Sequence, residues 1–129
     1  MRLLLDTHVI VWMAAEPTKL SGAARERLAD PVNQRFVSAI SVLEMSIKHR
    51  VGKLPEVAPL LAGLDDMFAR LAAKELPITF AEANLAGGLT WENRDPFDRL
   101  LAAQAIRQSL VLVSGDEAFS AIADVNRLW

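Results

Sequence analysis

Leu3-Leu4-Leu5-Asp6-Thr7-His8-Val9-Ile10 changes its periodicity in mid-run. Arg2 to Leu5 reads as a short buried strand, whereas Val9, Ile10, Trp12 and Met13 give the stretch from Thr7 to Ala14 an apolar helical pattern. An acid, Asp6, stands at the junction. The same order returns at Leu110-Val111-Leu112-Val113-Ser114-Gly115-Asp116, where a buried strand runs to Asp116 and a turn with a short helix over Ser114 to Ala121. Strands that alternate with helices in this way predict a parallel sheet covered on both faces.

Between these two stretches the alternation continues. Pro17 ends the first helix, Ser21 to Ala29 forms a second, Pro31 and Asn33 make a turn, and Arg35 to Ser38 is a second strand. A helix starting at Ser41 carries Val42, Leu43, Ile47 and Val51 and stops at Gly52. Leu54 to Pro59 is a proline-bounded connection into a helix around Leu60 to Ala73, and Leu76 to Thr79 is a third strand. Ala81 to Ala86 is a small helix broken by Gly87-Gly88, followed by a loop from Trp91 to Arg94. Asp95-Pro96-Phe97-Asp98 is the sharpest local signal: an N-cap acid, proline at the first helical position, then an apolar-faced helix from Phe97 to Gln108. Asp124 to Trp129 closes as an edge strand or extended tail.

Bulk properties narrow the class. At 129 residues the chain fits one α/β domain, residues 1–129, able to bury roughly two thirds of its unfolded surface. With no cysteine, disulfides and zinc-thiolate sites are excluded. A net charge of -2 excludes a chain that coats nucleic acid by charge alone. The N-terminal leucines are interrupted by Asp6 and His8 before a signal-peptide core is complete, and no run is long enough for a membrane span, so a cytoplasmic, membrane-free protein is expected. An apolar content of 52% and a mean hydropathy of +0.22 are high for a small monomer and point to a partner.

Four acids, Asp6, Glu44, Asp98 and Asp116, each fall where an apolar run gives way to a helical pattern. In a parallel α/β sheet such places gather at one edge, beyond the carboxyl ends of the strands. Each acid also fits a cap: Asp6 before Thr7, Glu44 in capping-box spacing with Ser41, Asp95 and Asp98 at the start of their helix, Asp116 before Phe119. Four carboxylates on one rim repel, however, and a divalent cation removes the conflict. Oxygen-only ligands favour Mg2+ or Mn2+ over zinc, and carboxylates holding hard cations in an open cleft are the usual apparatus for phosphodiester hydrolysis. Thr7 and Ser114 are placed to support the acids. Lys48, His49, Arg50, Arg94 and Arg99 are candidates for local nucleic-acid contact, Lys48, Arg94 and Arg99 foremost. His8 has no partner four residues on and reads as a surface or core residue, and Trp12, Met13 and Phe68 as core or interface.

Leu3 to Val9, Ser38 to Lys48 around Glu44, Asp95-Pro96-Phe97-Asp98-Arg99-Leu100-Leu101-Ala102-Ala103-Gln104-Ala105, and Leu110 to Asp116 together resemble the PIN-domain ribonucleases, and more narrowly the VapC toxins of bacterial VapBC toxin-antitoxin pairs. The order and spacing match from end to end. The resemblance implies a PIN-like three-layer fold, with a mostly parallel sheet of about five strands flanked by helices, and Mg2+- or Mn2+-dependent cleavage of RNA. It makes Asp6, Glu44, Asp98 and Asp116 the metal-binding and catalytic acids and leaves Asp95 as a helix cap. It also implies a homodimer and an inhibitory antitoxin that wraps the toxin's helices. Two positions depart from common family usage: Leu43 where relatives often carry Trp, and Asn93 where they often carry His.

Two other readings compete. An Asp at the end of the first strand followed by Thr7 also opens aspartyl-phosphate phosphatases of haloacid-dehalogenase type, although that class usually has a second Asp where His8 stands. A catalytically silent PIN-like module that binds RNA or protein is the other, and retention of all four acids speaks against it.

Overall fold

In the computed structural model, which describes residues 1–129, five strands run parallel in one sheet: β1 (Arg2–Leu5), β2 (Gln34–Ser38), β3 (Ala73–Leu76), β4 (Val111–Val113) and β5 (Asn126–Leu128), in the order β3-β2-β1-β4-β5. Seven helices connect and cover them: α1 (Thr7–Ala15), α2 (Gly22–Ala29), α3 (Ala39–Arg50), α4 (Ala58–Ala62), α5 (Leu64–Leu71), α6 (Phe80–Gly88) and α7 (Pro96–Gln108). The chain builds outward from β1 to β3 on one side, then returns to lay β4 and β5 on the other. The direction reverses between β1 and β4. At such a switch point the connections leave on opposite faces, and a crevice opens beyond the strand ends.

Alternation along β1 explains why its whole run is apolar. Successive side chains point to opposite faces, and here both faces are covered. Leu3 and Leu5 join Val37, Val113, Val9, Ile10, Met45, Met67 and Leu71 in one core, whereas Leu4 joins Phe36, Leu112, Leu101, Ala102, Ala105 and Phe119 in the other. Registers Leu4↔Phe36 and Leu4↔Leu112 keep these layers aligned across the sheet. No helix is long and apolar enough to cross a membrane.

Several boundaries move from their sequence positions. The third strand is Ala73–Leu76, not Leu76 to Thr79. As an edge strand it tolerates polar Lys74 and Glu75, which hide it from a search for apolar runs, and Pro77 then ends it. Helix α3 starts at Ala39 and is capped by the Ser38 hydroxyl, which accepts from the Ile40 N–H at 3.1 Å. Ser41 is therefore inside the helix, and its expected capping box with Glu44 does not form. A capping box does form between Thr79 and Glu82 at the start of α6. That helix runs through Gly87 and Gly88 instead of breaking there, and the expected helix from Leu60 to Ala73 is split at Gly63 into α4 and α5. Gly52, at φ 81°, ends α3 with its N–H on the His49 carbonyl at 3.0 Å.

Because Leu112 is fully buried at the centre of one core while Val32 is 80% exposed in a turn, their truncations separate cleanly. Chemical denaturation of Leu112→Ala is expected to show a loss of about 2–5 kcal/mol, and Val32→Ala a change of about 0.5 kcal/mol or less.

Candidate active site

Asp6 follows β1 directly and occupies the N-cap of α1. One carboxylate oxygen accepts the Thr7 N–H at 2.7 Å, and the other accepts the Ser114 hydroxyl at 2.6 Å. Ser114 is fully buried at the end of β4, and its oxygen also accepts the Asp116 N–H at 3.0 Å. A single hydroxyl thus ties the acid after β1 to the acid after β4. Asp116 caps the 3-10 turn over Glu117–Ala121, accepting the Ala118 N–H at 2.9 Å.

Glu44 comes from the interior of α3 and is 6% exposed. It receives the Thr7 hydroxyl at 2.5 Å and the Lys48 ammonium one turn further along the helix. Thr7 also lies 3.1 Å from the Ser41 hydroxyl. Thr7 has only one hydroxyl proton and the carboxylate is acceptor-only, so Thr7 donates to Glu44 and Ser41 donates to Thr7. Burial disfavours a free ammonium at Lys48, but its bond and attraction to Glu44 outweigh this and raise its pKa above the usual lysine value.

The start of α7 supplies the fourth acid. Asp95 caps the helix, accepting the Phe97 N–H at 2.9 Å, and Asp98 sits in the first turn with one oxygen on the Asn93 side-chain amide at 2.9 Å. Asp6, Glu44, Asp98 and Asp116, together with Asp95, Glu56 and Lys48, line one cavity of about 290 Å3. The carboxylates stand around it without closing into a cage, and no three acidic or histidine side chains are drawn tight enough to hold a cation. The strain of their proximity is electrostatic. Partial burial, with the charges of Asp95, Asp6 and Asp116, pushes the Asp98 carboxyl up to about 6 against the pull of its bond from Asn93. Burial likewise raises Asp6, with Glu44 adding to it, although His8, Ser114 and Thr7 act in the opposite sense.

The expected contact residues separate. Arg94 is exposed and makes no hydrogen bond or ion pair, so its guanidinium is free for a ligand. Arg99 departs from the expectation of RNA contact: all five of its N–H groups point at main-chain carbonyls of residues 86 to 93, leaving none for a phosphate.

His8 was not expected in the site, yet it lines the cavity. Its Nδ1 lies 3.3 Å from Asp6, and its Nε2 accepts the Gly115 N–H at 3.0 Å. That main-chain donor leaves Nε2 without a proton and places the neutral ring's proton on Nδ1, facing the carboxylate. A helical-wheel argument sends residue 8 away from residue 6 only if both are helical. Asp6 is an extended N-cap whose side chain folds over the first turn, and this brings the two together. The His8 ring also contacts the Trp12 indole at 4.7 Å and Trp129 at 6.1 Å between centroids. Trp129 lies so close over Gly115 that any Cβ there would stand 3.0 Å from the indole. A side chain at position 115 would therefore have to push the Trp129 ring aside by a few tenths of an ångström.

With fold and geometry set, similarity to known proteins defines the class. The PIN domain family matches residues 3–125, and the chain belongs to that family. It is 30% identical over 113 residues to Ribonuclease VapC22 of Mycobacterium tuberculosis, covering 88% of this chain and 85% of that protein. Among solved structures it is similar to DNA-bound VapBC from Salmonella typhimurium (18% identity, TM-score 0.70, 99% of this chain and 97% of that one). It is also similar to VapBC2 from Rickettsia felis bound to a promoter DNA fragment (20% identity, TM-score 0.67, 99% and 98%).

The raised Asp98 carboxyl carries a stability consequence. Below the unfolded value near 3.8 the acid is protonated in both states; as pH rises toward about 6 the unfolded chain releases its proton first, and stability is lost. Above that window the folded state keeps a penalty that Asp98→Asn removes. In metal-free buffer with EDTA, the variant is expected to be more stable than the wild type at pH 8 by about 1 kcal/mol, discounted for partial exposure, and level with it near pH 4. Thermal melts across that range measure the difference.

Proposed function

We propose that this chain is a metal-dependent endoribonuclease, the toxin of a toxin-antitoxin pair. The observation that carries the reading is the delivery of Asp6, Glu44, Asp98 and Asp116 from four separate segments to one cavity, with neutral donors fixing each. Membership of the PIN family and the ribonuclease name of the mycobacterial relative support RNA as the substrate. The likeness to toxin-antitoxin complexes supports a cognate antitoxin as partner.

The donor set fits a hard cation. It is all oxygen, it lacks cysteine, and two of its acids, Asp6 and Asp98, are driven toward protonation by burial and by neighbouring carboxylate charges. These four acids are the residues that would hold Mg2+ or Mn2+, which would supply Lewis-acid polarisation of the phosphodiester and of the attacking water. The chain's own residues do the rest. Ser114 and Thr7 hold Asp6 and Glu44 by donating to them, which fixes the aim of both carboxylates. Lys48, on the cavity wall, and the exposed Arg94, outside the cavity lining, are the cations offered to the sugar-phosphate backbone. Apolar surface at Leu43, Ile47, Val51 and Leu64 is available for a second copy or the antitoxin. A covalent aspartyl-phosphate route suits the chain poorly: the second Asp that such enzymes usually carry two residues after the first is His8 here.

Purified Asp6→Asn and Asp98→Asn are expected to cleave RNA about 100-fold or more slowly than the wild type. EDTA should stop cleavage and Mg2+ or Mn2+ restore it. Undiminished cleavage by Asp98→Asn would end this reading, and a wild-type chain that binds RNA without cutting any would favour the silent module. Lys48→Ala and Arg94→Ala should instead raise KM and flatten the salt dependence, each by about one phosphate contact.

A further inference from the structure

Arg99 sits beside Asp98 on α7, but its guanidinium turns away from the cavity. Nε donates to the Ala86 carbonyl at 2.8 Å, Nη1 to Trp91 at 3.0 Å and Asn93 at 2.8 Å, and Nη2 to Gly87 at 3.3 Å and Leu89 at 2.6 Å. Five donors meet five carbonyls, which is the full capacity of the group. Two of these carbonyls belong to the last turn of α6, whose closing residues Gly87 and Gly88 give it little helical preference of its own. The terminal carbonyls of a helix lack intrahelical partners and carry partial negative charge, so a cation there acts as the cap. The other three carbonyls belong to the connection toward α7. Within it, residues 91 to 94 make no main-chain hydrogen bond to other main chain.

Asn93 transmits this anchoring to the site. Its carbonyl is held by Arg99 Nη1, its side-chain Oδ1 accepts the Asp95 N–H at 2.9 Å, and its Nδ2 donates to Asp98 at 2.9 Å. The amide cannot be reversed, since Oδ1 must face a donor and Nδ2 a carboxylate. Asp98 has no other side-chain donor. Its aim into the cavity therefore depends on a loop whose carbonyls are held by Arg99, while Leu89 and Trp91 pack on the core beneath.

We infer that Arg99 is a positioning residue that acts through Asn93: it clasps the connection between α6 and α7 so that the Asn93 amide orients Asp98 toward a cation. This rests on the reading of the cavity as a metal-dependent nuclease site. Metal binding is measured separately from cleavage, so the two ideas can fail independently.

The test compares the wild type with Arg99→Lys, Asn93→Ala and the double variant of the full chain. Three readouts are taken: Mn2+ affinity by electron paramagnetic resonance, kcat and KM for RNA cleavage, and Tm. Lysine keeps the charge but cannot reach five carbonyls, and Asn93→Ala leaves the clasp intact while removing the tie to Asp98. Each single variant is expected to weaken Mn2+ binding and lower kcat by about 10- to 100-fold, with KM within about threefold of the wild type. The double variant should be no worse than the worse single, because both residues act on one route. A raised KM at unchanged kcat would make Arg99 a phosphate contact and overturn the inference. A lowered Tm with Mn2+ affinity and kcat intact in the folded protein would overturn it too, leaving only a structural staple. If the wild type binds Mn2+ but cleaves no RNA, the nuclease reading fails, while the Mn2+ affinities of the variants still decide the clasp.

Discussion

Mutual repulsion among carboxylates is the constraint around which the carboxyl edge of this sheet is organised. Asp6, Glu44, Asp98 and Asp116 belong to segments with no local reason to meet, and bringing them to one cavity costs free energy that the cores beneath must offset. The fold contains that cost with neutral donors. Ser114, Thr7 and Asn93 and the backbone N–H groups of Thr7 and Ala118 each satisfy a carboxylate oxygen, and Lys48 is the one cation bonded to an acid of the set. The penalty is not cancelled, and Asp98 retains a carboxyl near 6. A site held in this condition is stabilised by an added positive charge, which is what the proposed cation would bring.

Position in the sheet makes this possible at low structural cost. The reversal of strand order between β1 and β4 places Asp6 and Ser114 side by side, and their 2.6 Å bond joins residues 108 apart in sequence. Helix α3 crosses near the same edge and contributes Glu44, while α7 contributes Asp98 from its first turn. Asp6, Asp95 and Asp116 each cap a helix start and also line the cavity. An acid that caps a helix is already oriented, so the same hydrogen bond that stabilises the fold also aims the remaining oxygen.

Sequence pattern revealed what depends on periodicity and local capping. The buried runs at Leu3-Leu4-Leu5 and Val111-Leu112-Val113, and the Asp95-Pro96 start of α7, were legible because tertiary context reinforces the local signal there. Polar β3 was displaced because an edge strand need not be apolar. The alternative role of Glu44, a capping box with Ser41, does not form because Ser38, three residues earlier, caps the helix, whereas Thr79 and Glu82 form a true box of the same spacing. The placements of His8, expected outside the site, and Arg99, expected to contact RNA, were not legible for a different reason. They are set by what lies across the fold, the Gly115 N–H in one case and five carbonyls in the other. No spacing rule carries that information.

The account turns on whether the repelling acids form a cation site. The direct measurement is the melting temperature of the wild type and of Glu44→Gln as Mg2+ is raised from zero to the millimolar range at pH 7.5. The wild type is expected to gain stability progressively with Mg2+, as any ligand that binds only the folded state must produce, and Glu44→Gln to gain little. A wild-type melting temperature that does not respond to Mg2+ or Mn2+ would contradict the account.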